Sequence, residues 1–105
     1  MARYRDKATG SAAISRTITM TKESTLIVMR CHLSAAGGAG NLTVTLDSIF
    51  GAAYNCVLLT QDMTAVTDLV WSPDKDSGAL AVGDKLVIEW ANAGAKTYGL
   101  EVIWS

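Results

Sequence analysis

Residues that commonly carry chemistry are scarce in this sequence. Its 105 positions include one histidine, one proline, one phenylalanine and two cysteines. One His and two separated Cys lack the three or four ligands, at paired spacing, that a zinc site needs. No GxSxG elbow is present to strain a serine into exposure. Charged residues make up 18% of the chain, below the roughly 25% typical of soluble proteins. The net charge of −1 sets up no field that would gather nucleic acid or an anionic membrane, so neither is expected as a partner. The longest run of large apolar residues, Leu26–Met29, falls far short of the ~20 needed to span a bilayer. MARYRDKATG leads into no apolar segment of signal-peptide length, so synthesis and folding in a cytoplasm are expected. Cys31 and Cys56 are then expected as thiols rather than a disulfide.

What the chain does have is apolar residues at a period of two. Half of its residues are hydrophobic, enough for one core in one domain. Ile14, Ile18 and Met20 alternate with Ser15, Thr17 and Thr19, and Leu42, Val44 and Leu46 alternate with Thr43 and Thr45. Alternation of this kind marks half-buried strands. STLIVMRCHL, residues 24–33, is apolar on both parities: Leu26 and Val28 on one, Ile27, Met29, Cys31 and Leu33 on the other. Such a strand is expected to be covered on both sides, by the core and by a second protein surface. SAAGGAGN at 34–41 reads as a turn, Asp47–Gly51 as a break, AYNCVLLT at 53–60 as a strand, and 72–83 as a loop or crossover. Together these signals predict an all-β fold: a single antiparallel β-sandwich of about seven to eight strands, jelly-roll or immunoglobulin-like.

KLVIEWANAGAKTYGLEVIW, residues 85–104, reads as a hairpin folded about Gly94. Trp90 would face Tyr98, Ile88 would face Leu100, and Leu86 would face Val102, with Trp104 extending the same apolar face. The opposite face is mixed and includes Val87 and Ile103. Residues 1–11 carry Arg3, Arg5 and Lys7 against Asp6. They read as an N-terminal arm able to dock on an acidic neighbour, ahead of a sandwich domain at 12–105.

Several constellations bear on chemistry. His32 follows Cys31 in a strand, so the two side chains point to opposite faces and do not share a metal or a proton. His32 is expected half-buried at a strand end. Asp74-Lys75-Asp76-Ser77-Gly78, with Asp84 six positions beyond the glycine, has the outline of a calcium loop. It lacks that motif's third early oxygen ligand and its long Glu, and an Asp-rich turn capping its own backbone accounts for it. Gly94-Ala95-Lys96-Thr97 has Ala95 where a phosphate-binding loop needs glycine, and a strand where that loop needs a helix. No metal or cofactor is expected. Trp71, one residue before Ser72-Pro73, is the aromatic expected to be exposed. A hydrolase built on Asp62, Asp68 or Glu89 would need two of those carboxylates to meet in space.

Thr67-Asp68-Leu69-Val70-Trp71, then Gly83-Asp84, then Trp90-Ala91-Asn92 leading to Thr97-Tyr98-Gly99 all fall within residues 60–104. In these features the chain resembles the small β-sandwich accessory proteins that decorate or cement the capsids of tailed bacteriophages. The resemblance implies a non-enzymatic virion protein, made in the host cytoplasm, oligomeric and often trimeric. It also implies attachment to other virion proteins such as the major capsid protein. No set of functional residues travels with it. The residues themselves nominate an interface: Arg3, Arg5 and Lys7 on the arm, Ile27 and Met29 on the second face of strand 24–33, and Val87 and Ile103 on the mixed face of the last two strands. The rival expectation is a carbohydrate-binding β-sandwich module for host adsorption, with Trp71 as its platform.

Overall fold

The computed structural model describes residues 2–74 and 76–105. Among them nine strands run β1 (Tyr4–Gly10), β2 (Ile14–Thr19), β3 (Ser24–Leu33), β4 (Asn41–Asp47), β5 (Cys56–Asp62), β6 (Asp68–Trp71), β7 (Ala79–Leu80), β8 (Lys85–Trp90) and β9 (Tyr98–Trp104). They form two antiparallel sheets in the orders β1-β9-β3-β6 and β2-β8-β4-β5, with the short β7 on the end of β3. The pairing is nested: β4 with β5, β3 with β6, β2 with β8, and β1 with β9. The chain is one long hairpin folded between β4 and β5, then rolled until β9 meets β3 and β8 meets β4. Of the two expected topologies, this is the jelly roll.

Rolling buries one parity of each long strand. Met29, Cys31, Leu33, Leu100 and Val102 of the first sheet close on Ile14, Ile18, Leu42, Val44, Leu86, Ile88 and Trp90 of the second. Burial of this apolar layer, at roughly 25 cal/mol per Å², is the main favourable term. The double apolar parity of β3 has a different cause from the one expected. Leu26 lies opposite Trp104 and Val28 opposite Ile103, so Ile27 is an extra residue in a β-bulge. The bulge moves the inward parity from Leu26 to Met29, Cys31 and Leu33. Met29, nominated for an interface, is therefore a core residue. The register shift lets Leu26 point inward with Met29, Cys31 and Leu33, while Val28 stays on the outer face opposite Ile103.

Residues 85–104 are not a hairpin either. β8 and β9 belong to different sheets, and residues 91–97 arch across the sandwich. Leu86, Ile88 and Trp90 do share a core with Leu100 and Val102, but across the interlayer rather than side by side. Asn92 makes the arch. With φ at 49°, its buried amide donates to the carbonyls of Ala12 and Lys96 at 2.9 Å and accepts the Lys96 N–H at 3.0 Å. Asn is among the few residues that tolerate this backbone region.

The expected arm is a strand. Residues 4–10 pair with β9 along their whole length. Tyr4 stacks on Trp104 at 6.1 Å, and Lys22 Nζ sits 4.5 Å over the Tyr4 ring. Asp6 points inward and accepts two 2.6 Å hydrogen bonds from Arg16 of β2. Those bonds and the Asp6 charge raise the pKa of the Arg16 guanidinium. The pair joins the edges of the two sheets, and inward-pointing charge also protects such edges from pairing with other chains. Deleting residues 2–11 is expected to abolish cooperative unfolding, because it uncovers Leu100 and Val102 and orphans Arg16. A truncated protein with an unchanged urea transition would overturn this assignment.

At one end of the roll, Asp84 ties two loops together. It is 4% exposed, and its carboxylate accepts the Ile49 N–H at 2.9 Å and the Ala81 N–H at 2.8 Å. Gly83 beside it has φ of 89°, and a Cβ there would come within 2.9 Å of Ile49. Asp84→Ala removes the buried acceptor of two part-buried N–H groups and is expected to cost about 1–3 kcal/mol in urea unfolding. Asp84→Asn keeps one acceptor oxygen and should cost about half as much.

Candidate functional site

The outer face of the β1-β9-β3-β6 sheet gathers three of the nominated interface residues. One row across it reads Lys7, Glu101, Arg30, and the next reads Arg5, Ile103, Val28. Glu101 is the hub. Arg5 Nη1 lies 3.2 Å from its carboxylate, Lys7 Nζ lies 3.5 Å away, and Arg30 pairs with its other oxygen. Burial pushes the Glu101 carboxyl up, but the Arg5 hydrogen bond and the charges of Arg30, Lys7 and Arg5 outweigh it and hold the group below its ordinary value. Three cations against one anion leave two positive charges over. Exposed pairs of this kind each contribute little stability, so the cations stay available to a partner. Ile103 belongs to the outer parity yet is buried in its row, and Val70 of β6, opposite Arg30, ends the charged row at 67% exposure. Arg3 is exposed just ahead of β1.

The other nominated residues lie elsewhere. Val87 is half-buried on the outer face of the second sheet, between Thr17 and Thr45. Ile27 is the half-buried bulge residue. Trp71 is half-buried and packs against the core, so it is not an exposed platform.

His32 is exposed rather than half-buried, with Nδ1 2.5 Å from Asp68 Oδ1. Cys31 beside it faces the core, as alternation requires, and burial pushes its thiol up to about 11. Asp68 and Glu89 lie on the outer faces of opposite sheets. Asp62 accepts the Thr64 N–H at 3.0 Å, which holds its carboxyl below the ordinary value. Asp74 is held low in the same way by the Ser77 N–H at 2.8 Å. With Asp84 turned onto Ile49 and Ala81, the calcium-loop outline is an Asp-capped turn; Lys75 lies outside the described residues. Among the described residues, no three His, Cys, Asp or Glu side chains cluster as metal ligands.

Among the described residues the most exposed aromatics are Phe50 and Tyr54, at 71% and 65%, ahead of Tyr4. They meet edge to face at 6.4 Å beside a groove of about 900 Å³ at the Asp84 end of the roll. Sequence reasoning missed Phe50 because 47–51 registers only as a break in alternation. Tyr54, read as strand, sits in a 3-10 turn at Ala52–Tyr54.

No protein-family model matches the sequence, and no curated protein matches it. Among solved structures, 97% of this chain aligns with 29% of a chain in the structure of infectious bursal disease virus Gx strain, at 14% identity and a TM-score of 0.34. That coarse likeness to part of a viral protein transfers no residue role, partner or assembly. No helix among the described residues is long and apolar enough to cross a membrane.

The two thiols should differ sharply. A disulfide-exchange reagent is expected to modify one thiol per native chain, the exposed Cys56, and Cys31 only on unfolding. The raised folded pKa of Cys31 has a definite sign. Its stabilising effect is complete below the unfolded thiol value of about 8.5. The effect is lost as pH rises from there toward about 11. Across that window the unfolding midpoint should fall more steeply for the native sequence than for Cys31→Val.

Proposed function

We propose that this chain is a non-enzymatic structural protein of a bacteriophage virion. In this reading it is a capsid decoration or cement subunit, a homo-oligomer with three copies favoured, seated on other virion proteins such as the major capsid protein. The observation that carries the reading is the outer face of the β1-β9-β3-β6 sheet. Arg5, Lys7 and Arg30 surround one carboxylate there, with Ile103, Val28 and Val70 among them. Such a face suits an acidic protein surface. Complementary charge steers encounter and sets register, while the exposed Val70 offers apolar area to bury.

The molecule measures 36 × 31 Å across its two longer axes, room for the ~800 Å² per partner that a stable interface buries. Many copies on one shell would turn individually modest contacts into firm attachment. Jelly rolls serve as viral capsid domains among other uses, so the fold is compatible with the role without specifying it.

Arg5→Glu combined with Lys7→Glu is expected to weaken binding to empty phage capsids at least tenfold at low salt, with the thermal transition retained. Raising the salt should weaken the unaltered protein in the same direction. Light scattering should return the mass of three copies. A monomer at high concentration, together with attachment indifferent to both substitutions, would refute the reading.

A further inference from the structure

We propose that the groove beside Phe50 and Tyr54 is a carbohydrate-binding site for a short chain of neutral sugars. The inference does not rest on the structural role above, since the groove lies at the end of the roll and the cationic face lies on its side.

The two rings are exposed on a braced loop. No residue of the 3-10 turn at Ala52–Tyr54 is buried, so the rings do not serve this chain's own core. Yet the loop is braced. The Ser48 N–H donates to Asn55 Oδ1 at 2.8 Å, the Phe50 N–H donates to Ser48 Oγ at 3.1 Å, and Asp84 holds the Ile49 N–H. A loop backbone held in this way presents both rings to the groove, so binding need not also order the loop.

The rest of the lining selects the kind of occupant. Lys22, Glu23, Thr25 and Ser48 line the groove together with the rings. Lys22 is steadied by the Tyr4 ring. An apolar peptide laid across these groups would leave them desolvated and unpaired. A pyranose chain satisfies both parts: its C–H face lies on the electron-rich ring faces, and its hydroxyls donate to and accept from the polar wall. The volume of about 900 Å³ lies within the ~300–1,000 Å³ range of ligand clefts.

The test is an NMR titration of the isotope-labelled full chain with neutral hexoses and their linear hexasaccharides. With at least one probe, amide shifts should concentrate at residues 22–25, 48–54 and 79–81. Affinity should fall at least tenfold in the double variant Phe50→Ala, Tyr54→Ala and stay unchanged in Trp71→Phe. Both rings are exposed, so the double variant should keep its thermal transition. Tighter binding of a hexasaccharide than of its hexose is expected, and equal affinity for the two overturns the assignment to a chain of sugars. No shift with any probe at ~20 mM, where even a millimolar site would saturate, overturns the proposal. So do shifts centred elsewhere, or binding that survives the double variant. Capsid attachment of the same variant, measured in parallel, should be unchanged.

Discussion

Everything in this molecule depends on one dry layer between two sheets. Met29, Cys31, Leu33, Leu100 and Val102 meet Leu42, Val44, Leu86 and Ile88 there, and all of them are buried. Because strand side chains alternate, each strand contributes only one parity to that layer. A slip of one residue would turn its whole apolar set to solvent. The bulge at Ile27 is the one place in β3 where the parity is reset, and it lets Leu26 and Met29 both point inward. The outer faces are free for other uses because the inner parity alone satisfies the core.

Around that layer, polar side chains close what apolar residues cannot. Asp84 binds two loops at one end, Asn92 brackets the arch at the other, and Arg16 with Asp6 clamps the β1–β2 edge. Each satisfies backbone or charge that the roll would otherwise leave unpaired in a half-buried place. The outward features differ in kind. The cationic row around Glu101 is screened, exposed and cheap to rearrange, which suits contact with another protein. The rings at Phe50 and Tyr54 stand on a loop whose backbone is hydrogen-bonded in place, which suits a small ligand. A jelly roll accommodates both because its sides are sheet faces and its ends are loops.

The sandwich itself was legible in the alternation of Ile14 to Met20, Leu42 to Leu46, and Leu86 to Trp90. The cationic cluster was legible in part. Arg5, Lys7 and Ile103 were nominated separately, but nothing in their spacing joins β1 to β9 across some ninety intervening residues. Arg30 and the hub Glu101 were not nominated. β1 itself was hidden because its inward positions hold Tyr4, Asp6, Ala8 and Gly10. A rim strand can fill those places with an ion pair and a glycine packed against the Tyr98 ring.

Local chemistry in the chain determined the alternating strands that build the core, that the core is apolar and single, and that Cys31 and His32 face opposite ways. Those properties follow from side-chain alternation, which neighbouring residues set between themselves. Tertiary structure alone decided that residues 85–104 span two sheets instead of forming a hairpin, that Met29 is core, and that Trp71 is covered while Phe50 and Tyr54 are not. Each of these turns on pairing between distant strands. That pairing is chosen by the total area the rolled chain buries and by brackets such as Asn92, and no short window of sequence contains either.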